Sequence, residues 1–169
     1  MSGPGRRRAG FRLPGNGSGG YSFIELIVVS AIVAILASAI MPLARVTMQR
    51  QREIELRRDL RDIRTAIDKF KDAADQGVIP TTELSTGSEG YPQTLDMLVE
   101  GVTLAKDASG RRLKFLRRIP IDPMTSSTQW GLRAYQDKPD STSWGGQNVY
   151  DVHSTSDARA LDGTRYRDW

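Results

Sequence analysis

Residues 26–44 form a run of 19 positions without a single charge, dominated by Ile, Val, Leu, Ala and Met. As a helix this run is roughly 28 Å long at about 1.5 Å per residue. That nearly matches a bilayer core of about 30 Å. A secretory signal sequence would be shorter, with an apolar stretch of about 7 to 15 residues closed by a small-residue cleavage site. Here the run continues through Arg45, Val46, Met48, Arg50 and Arg52 into a helix-forming sequence with no glycine before Gly77. The chain therefore reads as one long helix whose first part spans a membrane.

Charge gives the span a direction. Residues 1–20 are rich in glycine and carry only Arg6, Arg7, Arg8 and Arg12, a composition that does not fold by itself. These four arginines account for the whole net charge of +4, which leaves residues 21–169 neutral. A neutral body gives no electrostatic footprint for nucleic acid, so no nucleic-acid partner is expected. Arginines ahead of the span keep the leader in the cytoplasm and send the remainder across. With no cysteine in the chain, disulfides, thiolate metal sites and cysteine nucleophiles are excluded.

An acid stands at the start of the span, and a carboxylate there is costly enough to need a reason. The order Gly20-Tyr21-Ser22-Phe23-Ile24-Glu25-Leu26 resembles the cleavage and methylation motif of type IV prepilins. The resemblance implies that a prepilin peptidase cuts after Gly20 and methylates the new amino terminus on Tyr21. Glu25 is then the fifth mature residue, and its carboxylate can pair with the mature α-amino group of its own or a neighbouring subunit. Pro42 falls at the twenty-second mature position, where the family commonly has proline. Inside a helix it removes one hydrogen bond and invites a kink or local melting, although it could also simply mark the membrane exit.

Beyond the span, Leu56, Leu60, Ile63, Ile67, Phe70 and Ala74 recur at spacings of three and four, which lines one helix face. The intervening Arg, Lys and Asp residues read either as a solvated face or as contacts to the next subunit. Gly77 is the expected helix stop, followed by a loop over residues 78–90. A short helix is expected within residues 91–101, a polar turn over 107–110, and extended chain over 113–121. The best strand candidates are residues 130–135 and 148–153. The expected organisation is a leader over residues 1–20, a helix over 21–76 with its transmembrane part at about 24–44, and a head over 77–169. This is an α+β fold in which a long amino-terminal transmembrane helix packs on a small antiparallel sheet, pilin-like in layout.

The head is similar to that of the major, G-type pseudopilins of type II secretion: Tyr91-Pro92, Leu95, Leu98 and Val99, Ile119-Pro120-Ile121-Asp122-Pro123, Trp130-Gly131 and Tyr150-Asp151-Val152 carry the likeness. It departs at Asp122-Pro123-Met124-Thr125, where the family has aspartate-proline-tryptophan-glycine. The resemblance implies Ca2+ in the carboxy-terminal loop, with Asp157 and Asp162 as carboxylate ligands among the six to eight oxygens calcium needs. Loop aspartates also cap turns.

No catalytic constellation is present: His153 is the sole histidine, and neither a phosphate-binding G-x-x-x-x-G-K nor an H-E-x-x-H occurs. The basic group Arg111, Arg112, Lys114, Arg117 and Arg118 reads as a solvated edge. The expectation is a non-enzymatic pseudopilin in the bacterial inner membrane, single-pass, with its head in the periplasm. It would polymerise with itself and minor pseudopilins, on an inner-membrane assembly platform, in contact with membrane lipid. The alternatives are a pilin of a surface pilus for adhesion, motility or DNA uptake, and a membrane-tethered periplasmic binding module.

Overall fold

The computed structural model describes residues 20–105, 110–141 and 143–169, apart from the side chains of Ala39, Met41 and Pro42. The leader up to residue 19, and residues 107–109 of the expected polar turn, lie outside this set. In chain order the elements are α1 (Phe23–Asp75), a 3-10 turn (Thr81–Glu83), α2 (Leu95–Glu100), β1 (Val102–Thr103), β2 (Arg112–Leu113), β3 (Gly131–Arg133), β4 (Asp151–His153) and a second 3-10 turn (Tyr166–Asp168). The chain divides into two compact units, Met1–Pro42 and Leu43–Trp169.

The described part of the first unit is the start of α1. Its apolar side chains are exposed among the described residues: Phe23 is 78% exposed and Ile35 69%. Mean hydropathy reaches 2.7 over the most apolar stretch of α1, which makes it the one described helix long and apolar enough to cross a membrane. Helical assignment runs through Pro42, so the local melting that its missing N–H invites is not observed.

In the second unit the rest of α1 carries the core. Leu56, Leu60, Ile63, Ile67 and Phe70 are all at most 2% exposed, and Ala66 joins them. Each such side chain contributes roughly 1.5–3 kcal/mol through the apolar area it removes from water. They pack with Leu98, Val102, Trp130, Val149, Val152 and Tyr166. The helix stops where predicted: Gly77 takes φ +67°, and the Gly77 and Val78 amides donate to Ala74 O and Ala73 O. Glycine reaches that left-handed conformation without a Cβ penalty.

The antiparallel pairing is real but is split. β1 pairs with β2, and β3 pairs with β4 in the register Gly131↔His153, Leu132↔Val152 and Arg133↔Asp151. These are two separate two-stranded ladders rather than one small sheet. The 130–135 strand shortens to three residues because side-chain oxygens replace ladder partners: Ala134 N donates to Asp137 Oδ2 and Tyr135 N to Asn148 Oδ1. The expected extended segment 113–121 contributes only Leu113 to a strand. Its next residues fold over the end of α2, where Phe115 N and Leu116 N both donate to Leu98 O. Helix α2 itself begins later than residue 91, because Pro92 O is engaged by Val149 N at 2.7 Å.

Candidate functional site

The residues expected to direct processing lie together at the start of α1. Gly20 and Tyr21 are exposed and precede the helix, Tyr21 at 84%. A Cβ built on Gly20 meets nothing within 4 Å among the described residues. Ser22 O accepts the first helical bond, from Leu26 N at 3.1 Å. Glu25 lies in the first turn, where a carboxylate meets the positive end of the helix dipole. It is the one acid among the apolar residues of this stretch. Pro42 lies in α1 within the first unit.

The two expected calcium ligands lie in the carboxy-terminal segment of the second unit, and each holds an arginine. Asp157 Oδ1 accepts from Arg167 Nη1 at 2.7 Å. Asp162 Oδ2 accepts from Arg57 Nη2 at 3.4 Å, while its Oδ1 takes the Thr164 amide at 2.9 Å and hydroxyl at 2.5 Å. The Thr164 bonds hold the Asp162 carboxyl below the usual carboxylate range, with Arg57 adding to the effect. Among the described residues, no group of three or more His, Asp or Glu side chains is gathered closely enough to hold a metal ion. A cation at Asp157 and Asp162 would compete with Arg167 and Arg57 for their oxygens.

Around these aspartates the segment is strapped to α1. Tyr166 is buried, and its hydroxyl donates to Glu53 Oε1 and accepts from Gln49 Nε2, both at 2.9 Å. The same Glu53 oxygen accepts the Leu161 amide at 2.8 Å. Arg57 stacks over the Trp169 ring at 3.8 Å, and Arg64 Nη2 donates to Trp169 O at 2.8 Å. Gln49, Glu53 and Arg57 are spaced by four, so one edge of the helix grips the strap.

Sequence reasoning missed two polar centres. Asp122 and Ser154 are both 0% exposed, and Ser154 Oγ donates to Asp122 Oδ2 at 2.6 Å. Asp122 Oδ1 takes the Met124 amide, which closes the turn through Ser127. Asp151, in turn, is shared by Arg64 at 2.6 Å and Arg133 at 3.7 Å. His153 sits beside them on β4, packed against Gly131, with its Nδ1 buried and unpartnered. Burial, and after it the charge of Arg133, holds its imidazole below the ordinary value. A lone histidine so placed reads as structural. Asp122 directly follows Ile119-Pro120-Ile121, and its partner Ser154 lies far along the chain.

The basic group divides by role. Arg112 donates twice to Gly101 O, at 2.7 and 3.1 Å, and so closes the end of α2. Arg117 and Arg118 line a groove of about 620 Å³ together with Glu55, Asp59 and Asp62. Burial, then Glu55 and Asp62, raises the Asp59 carboxyl above its usual range.

Comparison with known proteins gave no family model, no curated protein and no solved structure that matches this chain.

Proposed function

We propose that the chain is a pilin-like structural subunit, a pseudopilin that polymerises through its amino-terminal helix into a periplasmic filament serving type II secretion. The observation that carries this reading is an apolar helix start, exposed among the described residues, with one carboxylate in its first turn, Glu25, behind the exposed Gly20. Apolar area of that size costs free energy in water and is stable only in lipid or against like helices. Glu25 in such surroundings needs a cation, and a cut after Gly20 creates one on Tyr21. Filament growth is then mechanical: subunits leave the inner membrane as the platform adds them, each helix exchanging lipid for its neighbours. The chain itself contributes packing and pairing rather than chemistry, and the prepilin peptidase contributes the cut.

The test is the intact mass and amino-terminal peptide of the protein isolated from its native membrane. A mature chain beginning at N-methylated Tyr21 is expected. Retention of residues 1–20, or a cut beyond the apolar run, would overturn the filament reading and favour the tethered module. Ca2+ belongs to the same reading, held by Asp157, Asp162 and backbone carbonyls once Arg167 and Arg57 are displaced. A calcium-dependent rise in melting midpoint that Asp157→Asn and Asp162→Asn both remove would support it; an unchanged midpoint would count against it.

A further inference from the structure

Three cations at the beginning of the second unit have no acidic partner among the described residues. Arg45, Arg50 and Arg52 are exposed, and no hydrogen bond, ion pair or ring contact engages them among the described residues. Farther along α1, Arg57 meets Asp162, Arg58 meets Asp62, Arg64 meets Asp151 and Lys71 meets Asp75, while Arg61 donates to Arg57 O and Lys69 is exposed. Among the described residues, no helical neighbour is paired with the first three. The positions four residues on are Gln49, Ile54 and Leu56, none of them an acid. Glu53, three residues after Arg50, has its Oε1 occupied by Leu161 N and Tyr166 Oη. Glu55, three residues after Arg52, lines the groove that Arg58 and Arg117 share.

Their place in the sequence names the missing partner. Arg45 directly follows the uncharged run 26–44, and Arg50 and Arg52 come five and seven residues later. That is about 7.5 and 10.5 Å of helical rise. The polar layer on each side of a bilayer core is about 5–7 Å deep. Long arginine side chains bend back toward that layer while their stems cover apolar surface. Val46 and Met48, interleaved with the arginines, are 45% and 56% exposed, which suits the boundary between headgroups and acyl chains. A guanidinium matches phosphate oxygens two at a time.

We propose that Arg45, Arg50 and Arg52 form a binding surface for the phosphate headgroups of anionic phospholipids in the leaflet where the span emerges. The proposal rests on residues 26–44 crossing the bilayer. An arginine near an anionic membrane surface contributes on the order of fivefold in binding, so the three together give a marked preference over zwitterionic lipid.

The test uses the full chain reconstituted in vesicles of phosphatidylcholine alone and of equimolar phosphatidylcholine and phosphatidylglycerol. After a carbonate wash, the vesicles are dissolved in neutral detergent and the retained lipid is weighed by native mass spectrometry. A retained phosphatidylglycerol-to-phosphatidylcholine ratio several-fold above the bulk ratio of one is expected, falling to the bulk ratio in the triple variant Arg45→Gln, Arg50→Gln, Arg52→Gln. The Arg58→Gln variant, farther from the span and already paired, should retain the wild-type ratio. Equal ratios in wild type and triple variant would overturn the proposal. Arginine-dependent cross-linking between copies in pure phosphatidylcholine, with no preference for phosphatidylglycerol, would overturn it in favour of a second subunit. A chain washed out of both vesicle types would instead sink the membrane-spanning reading beneath it, so the two failures are distinguishable.

Discussion

Asp122 and Ser154, both wholly enclosed, show what a single buried carboxylate can organise: one oxygen ties the turn at Met124, the other reaches across to Ser154. Ser154→Ala leaves that oxygen without its side-chain donor, at a cost of about 1–3 kcal/mol, measurable as a lower urea midpoint with an unchanged slope. His153 gives a pH signature. Its folded-state pKa lies below the ordinary 6.5 because of burial and Arg133, so the unfolded chain takes up the proton first as pH falls. Stability is therefore full above about 6.5 and declines below it. His153→Gln should flatten that part of the curve of melting midpoint against pH; identical curves would show that the imidazole is not linked to folding. At this scale Gly20 and Glu25 stood out because the motif they resemble is a run of consecutive residues. Asp122 did not, since what makes it matter is a serine 32 positions away.

Among the elements, α1 was the most legible. Its apolar stripe follows from spacing alone, and every member from Leu56 to Phe70 is buried as the period requires. Gly77 ends it because only a left-handed residue lets the last carbonyls close on themselves. Helix α2 and the strands were read too long, since propensity does not reveal when Asn148, Asp137 or the Pro92 carbonyl will take a backbone group out of a ladder or helix. Gly101 is the point of highest constraint between α2 and β1. It holds φ +81°, and a Cβ there would come within 2.6 Å of Leu113 O. Gly101→Ala should cost about 1–3 kcal/mol and loosen the β1–β2 pairing, read as faster amide exchange at Leu113; protection equal to wild type would refute this.

At the scale of the molecule, the second unit is closed by its own carboxy-terminal strap. Gln49, Glu53, Arg57 and Arg64 on α1 engage Arg159, Leu161, Tyr166 and Trp169 through hydrogen bonds and a ring contact. Tyr166→Ala removes a buried ring and the hydroxyl between Gln49 and Glu53, and should destabilise the unit by about 3 kcal/mol or more. Limited proteolysis should then cut within residues 155–169 before any other described segment of the second unit. Cleavage elsewhere first would show that the strap is not what holds that edge.

Features that depend on neighbours along the chain could be read from the residues alone: a helix of membrane length, one acid at its start, a buried stripe of period 3.6, and the glycine that ends it. These follow from local sterics and from the need to remove apolar area from water. Tertiary structure decided which charges meet. Arg64 finds Asp151 across 87 positions, Arg57 finds Asp162 across 105, and Glu53 finds Tyr166 across 113. No local pattern encodes such pairs, because a charge binds whichever partner the folded backbone brings within a few ångströms, and in the extended chain all of them face water.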